Sequence, residues 1–248
     1  MKTTTEIGMN RTGIAFSPKA STETIEFAQS RAPSSEGDVR VETGVLTDYA
    51  RMAEPAGKVP PPASLTGMSQ TLVQKLAGKN VAAFLDKLGQ RLAFERAGVR
   101  LYDALIAKCR GSDLPAAFGI DELVKIRNDE LRHFKVLTAC IQELGADPTA
   151  MTPCANVVGV ESMGLMQVVN EPRMSVVQSL DAIFAAELVD NAAWEQLIPL
   201  ANALNMTDFA ERFRSALEQE EEHLQTVRRW VSQSALSDLE GNAQMRRM

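Results

Sequence analysis

The sequence predicts an all-α protein: an antiparallel four-helix bundle with one long crossover connection, preceded by an irregular N-terminal arm. Three observations predict it. Four long stretches beyond residue 80 repeat apolar residues in alternating steps of three and four, the period of a helix face. Hydrophobic residues make up 45% of the chain but aromatics only 5%, and Met (11) and Ala are plentiful, which suits helices packed on helices better than aromatic-rich strands. The first 75 residues, rich in Thr, Ser, Gly and Pro (VPPPASLTG at 59–67), keep no period. A chain of 248 residues is long enough for one well-buried core and an appendage.

In chain order, residues 1–75 read as an arm or linker, with a short helix near Asp48–Glu54. It is either a tail or an arm that wraps a partner subunit, the expected assembly being a homodimer. The bundle occupies 76–248. Its first segment runs from Val81 to Arg110 and its second from Asp121 to Leu144, where Gly145 stops it. The third runs from about Ser175 to Ala203, with a kink expected at Pro199. The fourth runs from Asp208 to about Gln233, with Thr207 as N-cap. The first and third links are short, which favours antiparallel neighbours. The connection from 145 to 174 is long enough to run the length of the bundle and start the third helix at the same end as the second.

Composition also narrows function. A net charge of −6 without a Lys/Arg-rich run argues against a nucleic-acid surface. The opening MKTTTEIGMNRTGIAF lacks the apolar core of a signal peptide, and no 18-residue apolar run could cross a bilayer, so a soluble cytoplasmic protein is expected. Cys109, Cys140 and Cys154 cannot all pair within the chain and form no CxxC; they read as small buried hydrophobes.

The predicted core stripes are apolar except near their middles. The first reads Leu85, Leu88, Leu92, Glu95, Val99, Tyr102, Ile106, Cys109. The second reads Leu123, Ile126, Glu130, His133, Leu137, Cys140, Leu144. The third reads Leu180, Ile183, Glu187, Asp190, Trp194, Leu197, Ala201, and the fourth Phe209, Phe213, Ala216, Glu220, His223, Val227, Trp230. A carboxylate in a core is costly unless something compensates it. Four helices carrying that cost at matching depth call for a common cause, and two divalent cations supply one: four carboxylates carry −4, two M²⁺ carry +4. The chain has only two histidines, each with Glu at the third position before it. Glu and His three apart project to one side of a helix, so each E-x-x-H can place both groups on one metal. Oxygen-rich ligation with one His per metal suits iron or manganese more than zinc.

A lone Glu on the first and third helices and an E-x-x-H on the second and fourth resembles the ferritin-like di-iron carboxylate superfamily, over about 81–235. The resemblance implies that Glu95 and Glu187 are terminal ligands, that Glu130 and Glu220 bridge, and that His133 and His223 each cap one of two Fe ions (Mn being possible). Tyr102, two turns after Glu95, matches a tyrosine common near ferritin and bacterioferritin sites and is implied to be catalytic. The residue before each bridging Glu often orients the opposite His in this superfamily; Asp129 would then serve His223, and Gln219 would serve His133. Asp190 reads as a further supporting partner or an extra ligand. Trp194 reads as core packing or as an electron donor beside Tyr102. The helix-four His resembles bacterioferritin and rubrerythrin more than animal ferritin. The short polar stretch after the fourth segment is not expected to form the fifth helix of cage-forming ferritins, and the sequence contains no CxxC pair of a rubredoxin domain. The resemblance implies oxidation of Fe(II) or reduction of O₂ or peroxide, with an electron-donor protein as a possible partner. An oxygenase acting on a small organic substrate, and an iron-binding or storage protein, are the alternatives.

Overall fold

The computed structural model describes residues 80–112 and 119–239, with 26, 47, 50–53 and 57–60. All regular structure among these residues is helical. The chain divides into two units, one of Thr3–Pro55 and one that takes in Ala56–Met248. Five long helices lie in the second: α1 (Val81–Arg110), α2 (Ile120–Glu143), α3 (Pro153–Asn170), α4 (Val176–Ala203) and α5 (Thr207–Leu239). Most of the 1–75 arm lies outside the described residues, but 50–52, within its expected short helix, are helical.

Local signals set the ends. Asn80 accepts a hydrogen bond from the Ala83 amide at the start of α1, and Lys108 and Arg110 lie in its last turn, where the helix dipole favours cations. Asp121 and Glu122 open α2 at the opposite pole. Gly145 ends α2 as expected, with φ of 73° and the Ala146 amide closing back on the Ile141 carbonyl. Ser175 and Gln178 form a reciprocal capping box at the start of α4. Two expected boundaries shift. Thr207 is the first helical residue of α5 rather than its cap, and α5 continues to Leu239. The third expected segment ends at Ala203, as the sequence predicts, with Pro199 inside α4.

The larger difference is α3. The connection expected between the second and third segments contains an 18-residue helix, capped by Thr152 and opened by Pro153. It packs on α1 and α4. Its apolar residues lie on every side: Ala155, Val158 and Val169 are buried while Val157, Val160 and Met163 are exposed. The buried positions Ala155, Val158, Ser162 and Val169 keep helical spacing, but Ser162 interrupts them and the exposed apolar residues mask the period.

α1 packs against α2, α3 and α4, α5 packs against α2 and α4. Every residue of the four predicted stripes is buried except Val99, which is half-buried. Their apolar parts form two clusters. One gathers Leu101, Leu105, Leu123, Ile183 and Trp230, the other Leu88, Leu137, Leu197 and Phe213. The polar middles of the stripes fall between them. Cys109 and Cys140 are buried in these clusters, whereas Cys154 is only partly buried.

Candidate metal centre

All six residues predicted as ligands are buried, none more than 3% exposed: Glu95 on α1, Glu130 and His133 on α2, Glu187 on α4, Glu220 and His223 on α5. The structure brings them together. Glu130, Glu187, Glu220 and His223 each offer one ligand atom within 4.8 Å of the others, and so do Glu95, His133 and Glu220. Glu220 belongs to both groups. Its Oε1 lies 2.5 Å from His133 Nδ1 and its Oε2 3.2 Å from His223 Nδ1.

The outer ring nitrogens are held as the flanking residues foretell. His133 Nε2 donates to Gln219 Oε1 at 2.9 Å, and His223 Nε2 lies 3.2 Å from Asp129 Oδ2. A proton fixed on Nε2 leaves Nδ1 of each ring turned into the cluster. Asp129 is in turn paired with the exposed Arg132. Both aromatics two turns from a glutamate reach the opposite one: Tyr102 donates to Glu187 Oε1 at 2.5 Å, and Trp194 Nε1 donates to Glu95 Oε1 at 2.9 Å. Trp194 therefore joins the site as well as the core.

Three residues escape the sequence reading. Arg91, 2% exposed, sets its Nε 2.9 Å from Glu95 Oε1 and an Nη 3.0 Å from Asp190 Oδ1. Its one signal is a basic residue one turn before a buried glutamate. Asn191 Nδ2 donates to the carbonyls of Glu187 (3.0 Å) and Glu220 (2.9 Å), tying α4 to α5 at ligand height. Gly98 is small because a Cβ there would overlap Glu130 Oε2.

The electrostatics of the cluster are those of crowded carboxylates. Burial first, then neighbouring negative charge, drives Glu95 and Glu130 well above the usual carboxylate range, and Glu187 to about 8. Glu220 goes the other way: burial opposes its charge, but hydrogen bonds from both imidazoles bring it down to about 2. Burial opposes the charged form of His133 and His223 too, yet the Glu220 carboxylate outweighs it and raises both.

The donor set fits metal ions. Oε2 of Glu95, Glu130 and Glu187 is buried without a hydrogen-bond partner among the described residues. A buried carboxylate oxygen with no donor is costly, and a cation facing it removes that cost. Among the described residues no helix is long and apolar enough to cross a membrane. Comparison of the chain with protein-family models, with curated proteins and with solved structures gives no match.

Proposed function

We propose that this chain is a ferritin-like di-iron carboxylate protein that oxidises Fe(II) or reduces O₂ or peroxide at a bridged two-metal site. What supports this above all is the convergence of four carboxylates and two Nδ1 atoms from four helices on one buried layer, with three carboxylate oxygens that accept no hydrogen bond among the described residues. Glu187 and His223 would hold one ion and Glu95 and His133 the other, with Glu130 and Glu220 within reach of both. Oxygen-dominated ligation favours iron, with manganese the next best fit. Two bound iron ions would supply electrons to O₂ or peroxide.

The chain's own part is to hold, orient and exclude. Gln219 and Asp129 keep a proton on each Nε2, so each ring presents a bare Nδ1 when metal displaces the second proton. Tyr102 holds one oxygen of Glu187 and leaves the other free. Burial and the Glu187 charge keep the Tyr102 phenol protonated well above its ordinary range, so it stands as a hydrogen donor beside the site. The apolar clusters above and below keep water out of the layer. A cavity of about 340 Å³ lies between α1 and α3, lined among others by Ala93, Arg96, Arg100 and Met163, and none of the six ligands lines it. No observation beside the cluster favours an organic substrate.

The test is anaerobic titration of the chelated protein with Fe(II), followed by O₂. Saturation near two equivalents and a new ultraviolet charge-transfer band on oxidation are expected. Saturation at one equivalent, or binding unchanged in Glu130→Ala, removes the two-metal reading. Two tightly bound ions that O₂ leaves unchanged would instead reduce the metals to a structural clamp.

A further inference from the structure

Asp190 complicates the charge balance, and Arg91 restores it. Glu95, Glu130, Asp190 and Glu220 are all buried, and each offers an oxygen within 4.8 Å of the others. That foursome has the ligand geometry of a cation site in its own right, beside the two groups that contain the histidines. Its members include an unpartnered oxygen, Glu130 Oε2. With Asp190 the layer carries five carboxylates, one more than two divalent ions neutralise.

The chain already places a cation there. Arg91 is the one Lys or Arg among the buried polar residues described. Its guanidinium bridges two members of the foursome, Glu95 at 2.9 Å and Asp190 at 3.0 Å, and stacks 4.3 Å from the centre of the Phe94 ring. The sum then closes: five carboxylates carry −5, two divalent ions +4, and the guanidinium +1. Asp129 stands outside this sum: it is buried on the outer side of His223, and the exposed Arg132 pairs with it. A guanidinium stays charged at any working pH and is bound covalently to its helix, so it cannot be exchanged for a metal ion.

We propose that Arg91 holds the place of a third cation in this layer, fixing its capacity at two divalent ions and keeping Asp190 from ligating them. This rests on the two-metal reading above. Arg91 acts as a positioning and specificity-determining residue.

Equilibrium dialysis of the full chain against Mn(II) tests it. Wild type should hold two ions. Arg91→Ala, which leaves both the room and the unmatched charge, should hold a third, and methylguanidinium should displace that third ion alone. Arg91→Lys keeps the charge and should stay at two. A folded Arg91→Ala chain that still holds two ions overturns the proposal, as does a wild type that holds three. A wild type that binds no Mn(II) or Fe(II) instead removes the two-metal reading itself. Asp190→Asn probes the same balance without touching Arg91, and serves if Arg91→Ala does not fold. Losing one negative charge beside an intact guanidinium should weaken Mn(II) binding by at least about tenfold. Unchanged affinity in Asp190→Asn would also overturn the proposal.

Discussion

The Glu95 and Glu187 ends of the cluster are written alike in the sequence and built differently in the fold. Each is a lone glutamate on its helix stripe, and each precedes an aromatic by seven residues. The aromatics then cross over: Tyr102 on α1 serves Glu187 on α4, and Trp194 on α4 serves Glu95 on α1. Glu95 Oε1 also has the Arg91 guanidinium beside it, Nε at 2.9 Å, whereas the Glu187 carboxylate takes the Tyr102 hydroxyl and has no such cation. A near-symmetric set of candidate ligands thus sits in unequal surroundings. Local spacing decides which residues reach the buried layer, while the charge and hydrogen bonding around each carboxylate follow from the neighbours that packing brings alongside.

The sharpest way to break this comparison is to remove the group the two ends share. Glu220 touches both histidines, so Glu220→Ala should abolish binding of both ions in an Fe(II) or Mn(II) titration. Retention of one tightly held ion would mean that the ends bind independently.

Next in size is the response of the chelated protein to pH. Glu95, Glu130 and Glu187 have folded pKa values above their unfolded ones, Glu187 at about 8. Such a group stabilises the fold fully below its unfolded pKa, and that contribution is lost as pH rises through the folded pKa. His133 and His223, also raised, act in the same direction. Glu220, lowered to about 2, contributes above its unfolded value and is lost only in strong acid. The melting temperature of chelated protein should therefore fall as pH rises through about 8, the raised value of Glu187. Metal affinity should rise over the same range as protons cease to compete. A chelated protein that grows more stable with rising pH would contradict the crowded-carboxylate picture at both ends.

Gly98→Ala sharpens the comparison at the α2 carboxylate. The new methyl group would push Glu130 from its place without removing a ligand, so the fold should persist while affinity drops about ten- to a hundredfold. Affinity equal to wild type would show that Glu130 has room to move and is not tightly positioned.

The smallest effects separate the two aromatics. Tyr102→Phe leaves the Glu187 carboxylate with no hydrogen-bond donor, at a cost of about 1–3 kcal/mol, whereas Trp194→Phe leaves Arg91 on Glu95. Stopped-flow mixing of Fe(II)-loaded protein with O₂ should show the larger change in Tyr102→Phe, alongside a radical signal in wild type that the variant lacks. Equal rates and peroxide yields in both variants would reduce the two residues to packing and erase the asymmetry.

What the sequence determined by itself was everything that repeats within one helix. An apolar residue every three or four positions marks a buried face, so α1, α2, α4 and α5 were legible nearly to their ends, as was the depth at which Glu95, Glu130, His133, Glu187, Glu220 and His223 interrupt them. The pairing of Asp129 with His223 and of Gln219 with His133 was legible only through the family resemblance. The tertiary structure decided the rest. It made a helix of α3, whose exposed apolar residues mask the period of its buried positions. It brought Arg91 to Asp190 and exchanged Tyr102 and Trp194 between the two glutamates, contacts between residues some 85 to 99 positions apart. Spacing along a chain fixes which side of a helix a residue faces. Which residue on another helix lies opposite it depends on how the helices rotate and slide to fill the core, and that is settled only when they pack.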